Sequence, residues 1–164
     1  MASVFNWSTN DEIEGIHPIG VDFFFLLVII QTKGGIGLFD YSIVTDKTVD
    51  DAINSLEAKL KEEQFGVLWM FDIQKKLHEK GLEFNKSFRV LEVCNPVEAQ
   101  RVLNENEMAG YFLPCKIVVF ESEGRTKIGM PRPTALISIL QDEKLKLFAK
   151  DIEERLIRCI SGSV

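Results

Sequence analysis

Hydrophobic and polar residues follow regular patterns from residue 38 onward, and these patterns predict a series of β-strands. Residues 39–45 place Phe39, Tyr41 and Ile43 on one face, as in a half-buried strand. Residues 67–73 are apolar on both faces, which predicts a central strand that is covered on both sides. Further strands are predicted at residues 88–93, 117–121 and 126–130.

Apolar residues at helical spacing predict two main helices. The first follows Thr48, which can cap it, and ends near Gly66. The second carries an apolar stripe that should lie across the sheet, and it ends at Gly162. The members of this stripe are Leu145, Phe148, Ile152, Leu156 and Ile160.

Shorter helices are predicted between the strands. Asn95 is a good N-cap, Pro96 suits the first helical position, and Glu98 sits where a capping-box carboxylate reaches back. Two more short helical stretches are predicted within residues 72–81 and 131–142.

The main elements follow the order β-α-β-β-β-β-α. The last two strands are joined at Glu123-Gly124, which predicts a tight hairpin turn. Residues 38–164 are therefore predicted to form a single α+β domain with a long C-terminal helix, short inserted helices and no internal repeat.

Residues 1–37 differ from the rest because no helical or alternating period persists there. Their apolar run, residues 23–30, is shorter than the roughly 20 residues that a membrane-spanning helix needs, and the acidic stretch before it does not suit a signal peptide. Lys33-Gly34-Gly35 can be encoded by the bases of a bacterial ribosome-binding site, and Leu38 by a TTG start codon. Residues 1–37 are therefore interpreted as a translated leader or, alternatively, as an extension without its own fold whose aromatic run packs on the domain.

Composition narrows the class of protein. Hydrophobic residues at 46% and charged residues at 27% are typical of a folded globular chain, which excludes disordered and low-complexity classes. A formal charge of −6 leaves no excess of Lys and Arg to neutralise phosphates, so we expect no nucleic-acid partner. Three widely spaced cysteines make a poor disulfide framework and indicate thiols in a reducing cytoplasm.

Two cysteines are candidates for catalytic chemistry. Cys94 leaves a strand directly before the helix capped by Asn95, where the helix dipole favours a thiolate. Cys115 begins another strand after Pro114, so the two thiols are expected at neighbouring strand ends, where they can exchange electrons or bind a soft metal. The alternative is structural, because free cysteines pack as small buried hydrophobes. Cys159, in the last helix, is interpreted as packing only.

Charged residues suggest a second candidate site, for a small anionic ligand near the helix start after Cys94. Glu92 is a charged residue within an apolar strand, so it points to solvent, faces a dimer partner or sits in a polar pocket. The candidate ligand-binding residues are Glu92, Asn95, Lys116, Lys127 and Arg132.

Metal binding has little support in the sequence. His78 stands among lysines and glutamates and is interpreted as a solvated side chain. Together with Cys94 and Cys115 it has no familiar ligand spacing, whereas a zinc site as a rule needs four ligands. We therefore expect no metal and no cofactor.

Four motifs resemble the bacterial and archaeal family called domain of unknown function 302. They are Gly66-Val67-Leu68, Leu91-Glu92-Val93-Cys94-Asn95-Pro96, Leu113-Pro114-Cys115-Lys116 and Lys127-Ile128-Gly129-Met130-Pro131. The resemblance covers residues 38 to about 160 and leaves the first segment without a counterpart. It implies a TATA-binding-protein-like fold, in which a long terminal helix packs against a curved antiparallel sheet. It also implies a homodimer. It implies no activity, since fold does not transfer function.

Two classes of function follow. The first is a cytoplasmic, homodimeric, non-enzymatic module that binds a small ligand or a partner in the cleft between sheet and helix, because the sequence has no nucleophile–base–acid set and no phosphate-binding loop. The alternative is cysteine-based redox chemistry, sulfur transfer or metal binding at Cys94 and Cys115. No membrane partner is expected.

The leader interpretation predicts the mass of the natural protein. Protein expressed from its own promoter should have the mass of a product that starts at Leu38, because translation would begin at the TTG codon. Intact mass spectrometry measures this directly. A native mass that includes Ala2 to Gly37 would show that the segment is a genuine extension.

Overall fold

The computed structural model describes residues 38–164, and the predictions made for residues 1–37 lie outside the described residues. The strands are β1 Asp40–Thr45, β2 Gly66–Asp72, β3 Phe88–Cys94, β4 Cys115–Ser122 and β5 Arg125–Pro131. The helices are α1 Val49–Glu62, α2 Ile73–His78, α3 Pro96–Glu105, α4 Pro133–Ile137 and α5 Glu143–Ser161, with 3₁₀ helices at Glu107–Phe112 and Ser138–Leu140. The predicted α+β class and element order are confirmed.

Side-chain caps begin the helices as the sequence predicts. The Thr48 side chain accepts a hydrogen bond from the backbone N–H of Asp51, and Asn95 Oδ1 accepts from the N–H groups of Val97 and Glu98 at 3.0 and 3.2 Å. The Glu98 carboxylate does not act as a capping-box partner, because it instead accepts a hydrogen bond from Arg155 Nη1 at 2.8 Å. This ion pair links α3 to α5.

The hairpin between β4 and β5 turns at Glu123-Gly124, as predicted. Glu123 has φ of 54° and Gly124 has φ of 75°, and Ser122 pairs with Arg125 across the turn. Two consecutive positive φ values define the type of turn that matches the twist of antiparallel strands, and glycine adopts the second one without a Cβ clash.

The five strands form one antiparallel sheet in the order β1-β5-β4-β3-β2. Helices α1 and α5 pack against each other and against one face of this sheet. The fully buried side chains that fill this layer include Leu56 from α1, Leu156 from α5, and Leu91, Ile117 and Ile128 from the central strands. We call this the helical face of the sheet and the opposite one the open face.

Helix α5 buries one stripe and exposes the other side. Leu145, Ile152, Leu156 and Ile160 of the predicted stripe are buried, whereas Leu147 is 68% exposed. Amphipathic packing of this kind stabilises a long helix mainly through its apolar face. Within residues 38–164, no helix combines the length and the apolar character needed to cross a membrane.

The prediction that residues 67–73 form a central strand is wrong, because β2 lies at the edge of the sheet. The register of β2 on β3 shifts between Val67 and Trp69, so Leu68 is an extra residue in a β-bulge. Leu68 and Trp69 are 65% and 58% exposed. The apolar residues on both faces of β2 therefore do not indicate a covered strand, because this edge strand stays partly exposed.

Candidate functional site

A cavity of about 320 Å³ lies at the end of the sheet where β4 begins and β5 ends. Its walls come from the 3₁₀ helix that precedes β4, from α4 and from α5. Tyr111, Phe112, Leu136, Leu145 and Ile152 are among the residues that line it. The cavity is therefore a cleft between one end of the sheet and the helices, with aromatic and aliphatic walls.

The backbone of the cavity wall offers few hydrogen-bond donors. Pro114, Pro131 and Pro133 line the cavity, and proline has no backbone N–H. Among the described lining residues, Lys116 is the one charged residue, and its ammonium pairs with Glu92 on the open face. The cavity thus suits an apolar guest.

A buried carboxylate stabilises the wall beside the cavity through hydrogen bonds. Glu153 of α5 accepts hydrogen bonds from Arg132 Nη1 at 2.6 Å and from the Thr134 N–H and hydroxyl at 3.0 and 2.5 Å. Arg132 also donates to the backbone oxygen of Asp40 at 3.1 Å. Because the charge of Glu153 is paired and hydrogen-bonded, it can stay buried and hold α5 to the corner between β5 and α4.

Cys94 and Cys115 lie on adjacent strands at the same end of the sheet. Cys115 pairs with Val93, so Cys94 is one residue beyond this pair. Strand alternation therefore places Cys115 on the helical face, where it lines the cavity, and Cys94 on the open face. The two side chains point to opposite sides of the sheet, which disfavours a direct exchange between them.

The surroundings of the thiols favour their protonated forms. Burial raises the pKa of Cys94, a direction opposite to the one expected from its place before a helix. Burial and the neighbouring Cys94 raise the pKa of Cys115 to about 11, although Lys116 opposes the shift. Burial also raises the pKa of Cys159 to about 11, and its Sγ donates to the Lys59 backbone oxygen at 3.4 Å. Burial thus acts against the thiolate that the helix start was expected to favour.

The residues predicted to bind an anionic ligand do not converge on the start of α3. Asn95 is buried and its side chain is used by the helix cap. Glu92 accepts from Lys116 Nζ at 3.1 Å across the open face. Lys127 lies farther along the same face, opposite Phe120, and Arg132 pairs with Glu153. Lys116 is therefore the member of this set that also borders the cavity.

His78 is exposed at the end of α2. Among residues 38–164, no group of three or more His, Cys, Asp or Glu side chains is placed to hold a metal ion.

Sequence reasoning predicted a cleft between sheet and helix but missed the residues that line it, because part of its wall falls in residues 106–114, which have no regular period. Aromatic residues are the signal that was available there, since Tyr111 and Phe112 are unusual in a purely solvated loop. The structure folds Glu107–Phe112 into a 3₁₀ helix, of which Ala109 is buried.

The open face also carries an aromatic cluster that sequence reasoning did not assemble. Trp69 and Phe71 of β2 have ring centroids 5.4 Å apart, and Phe88 stacks on Phe120 at 5.0 Å. The first pair lies within one strand, whereas the second joins β3 and β4, which are neighbours only in the folded sheet. The Glu92–Lys116 ion pair lies beside Trp69, which pairs with Glu92 across the two strands.

The fold and the site define a small α+β domain with one sheet, one helical layer and an apolar cleft. A family model described as Domain of unknown function DUF302 matches residues 41–162, and the chain belongs to this family. It is also similar to a crystallised uncharacterized conserved protein DUF302 from Bacillus stearothermophilus, with 50% identity and a TM-score of 0.76. That similarity covers 78% of this chain and 100% of the other. No curated protein matches the chain.

The raised thiol pKa values predict slow alkylation at neutral pH. The thiolate is the reacting form, so a raised pKa lowers its fraction at pH 7. The rates for Cys115 and Cys159 should climb as pH rises toward about 11, and the rate for Cys94 should also climb with pH above neutrality. Iodoacetamide labelling followed by peptide mass spectrometry measures each site, with Cys94→Ser as the control that assigns the Cys94 signal. Rapid labelling of Cys94 that levels off below pH 8 would instead favour thiol chemistry.

Proposed function

We propose that this protein is a cytoplasmic, homodimeric, non-enzymatic module that binds a small ligand in the cleft between the sheet and α5. The observation that carries the proposal is the cavity of about 320 Å³ at the end of the sheet. Its volume falls at the lower end of the range of about 300–1,000 Å³ that is typical of small-molecule sites. The free, protonated thiols suit a reducing compartment.

The chemistry around the cavity favours binding over catalysis. Asn95 is engaged in a helix cap, Arg132 and Glu153 pair with each other, and the pKa of Cys115 is high. A catalytic site needs a nucleophile or base that is poised to react near neutral pH. The groups at this end of the sheet instead maintain the shape of the walls.

The edge strand β2 supports the homodimer. Leu68, Trp69 and Met70 are consecutive, apolar and exposed, and an uncharged edge of this kind is a template for pairing with another strand. Large exposed apolar patches of soluble proteins mark interaction sites. In a twofold dimer the same strand supplies both sides of the contact, so one apolar segment serves both copies.

The ligand-binding proposal predicts that filling the cavity abolishes binding of an uncharged apolar probe. N-phenylnaphthylamine should fluoresce in the presence of the wild-type protein, and Leu136→Trp should remove most of this signal because the indole occupies the cavity. Leu147→Trp is the matched control, since Leu147 is exposed on α5 and does not line the cavity. Equal binding by both variants would rule out the cavity as the site.

The dimer proposal predicts that a charge on the edge strand separates the copies. Leu68→Lys should convert a dimer to a monomer, because a charge at a buried apolar contact is strongly unfavourable. Light scattering coupled to gel filtration gives the mass of each species. Leu147→Lys is the matched control and should stay dimeric, because Leu147 is as exposed as Leu68 (68% against 65%) but lies outside the edge strand. A monomeric wild type, or a dimeric Leu68→Lys that keeps its circular dichroism spectrum, would refute this assembly.

A further inference from the structure

The cavity has exposed aromatic rings at its solvent end and buried side chains at its inner end. Phe39 and Tyr111 line it and are 64% and 83% exposed, so they border solvent. Val102, Ala109 and Ala149 also line it and are at most 6% exposed, so they belong to the inner end. A guest that fills the cavity therefore extends from the aromatic rings to the core.

Two alanines make room at the inner end of the cavity. On α5 the lining residues Leu145, Ala149 and Ile152 are four and three positions apart, so they share one side of the helix. Ala149 is the smallest of the three, and Ala109 on the 3₁₀ helix is the other alanine of the lining. A larger side chain at either position would take up part of the cavity volume.

The described lining residues present no charge to the interior of the cavity. The Lys116 ammonium pairs with Glu92 on the open face of the sheet. The Cys115 thiol stays protonated at neutral pH because its pKa is about 11, and the three prolines of the lining have no backbone N–H. A charged group drawn into the cavity would lose its hydration without gaining an opposite charge.

The volume of the cavity sets the size of its ligand. A cavity of about 150 Å³ that is lined by aliphatic and aromatic side chains binds benzene. The cavity of about 320 Å³ described above is about twice as large. It therefore has room for a hydrocarbon body about twice the size of benzene, which corresponds to about twelve carbon atoms.

We infer that the ligand is an uncharged hydrophobe of about twelve carbon atoms, and that Ala149 sets the size that the cavity accepts. This inference rests on the proposed function, because it names the ligand class of the same cavity. A smaller hydrophobe leaves part of the inner end unfilled, whereas a larger one leaves carbon atoms in water. Ala149 is thus the specificity-determining residue for ligand size.

A series of linear primary alcohols measures the size limit. Hexanol, octanol, decanol, dodecanol and tetradecanol compete with N-phenylnaphthylamine for the full-length wild-type protein, and the loss of fluorescence gives each affinity. Each added methylene should tighten binding about fourfold up to about twelve carbons, and the affinity should then level off because the cavity is full.

Probes of equal chain length test whether the ligand is uncharged. Decanoate and decylamine compete with N-phenylnaphthylamine at neutral pH in the same assay as decanol. Both should bind at least about tenfold more weakly than decanol, because a charged end at the apolar walls loses hydration and finds no opposite charge.

Ala149→Leu tests the role of Ala149. The leucine adds about three carbons at the inner end, so the affinity should level off at about nine carbons and decanol should gain little over octanol. Hexanol affinity should stay unchanged and show that the cavity is intact. Ala58→Leu is the matched control and should keep the wild-type limit, because Ala58 is exposed on α1 and does not line the cavity. If Ala149→Leu does not fold, Ala109→Leu makes the same test from the 3₁₀ helix.

The outcomes separate this inference from the proposed function. If the affinity keeps rising through tetradecanol, or if Ala149→Leu has the wild-type limit, the size assignment is wrong while the cavity remains a binding site. If decanoate binds as tightly as decanol, or if N-phenylnaphthylamine binds and no alcohol displaces it, the inferred class is wrong. If N-phenylnaphthylamine does not bind and calorimetry detects no alcohol binding, the proposed function itself is refuted.

Discussion

Packing of α1 and α5 against a single face of the sheet is the constraint from which the other features follow. These two helices bury Leu56 and Leu156 on Ile117 and Ile128 and so form the core. Both long helices are used on this face, so the aromatic residues of the opposite face and the edge strand β2 stay partly exposed. This exposed apolar surface is the physical basis of the proposed dimer.

The cavity lies at the end of this layer, and a buried ion pair maintains its wall. Glu153 and Arg132 neutralise each other inside the fold, and Thr134 adds two hydrogen bonds to the same carboxylate. Such a network is costly to disrupt because the remaining charge would be buried without a partner. Arg132, Glu153 and Thr134 beside the cleft thus have a positioning role.

The cysteines show how a local signal and its surroundings can oppose each other. The position of Cys94 before a capped helix was correctly predicted, and a helix start taken alone favours a thiolate. Burial at the strand end acts in the other direction and raises the pKa. Cys94 and Cys115 lie on adjacent strands at the same end of the sheet, yet strand alternation directs their side chains to opposite faces. This geometry disfavours thiol chemistry between the two cysteines.

The sequence by itself determined the features that depend on near neighbours along the chain. Thr48 and Asn95 cap their helices, Glu123-Gly124 turns the hairpin, and the spacing of Leu145, Ile152 and Leu156 makes α5 amphipathic, since each depends on residues a few positions apart. Tertiary structure alone decided that β2 is an edge strand and that Tyr111, Lys116 and Leu136 border one cavity. Strand order and cavity walls arise from contacts between distant segments, and the apolar pattern of one segment cannot specify which other segment will cover it.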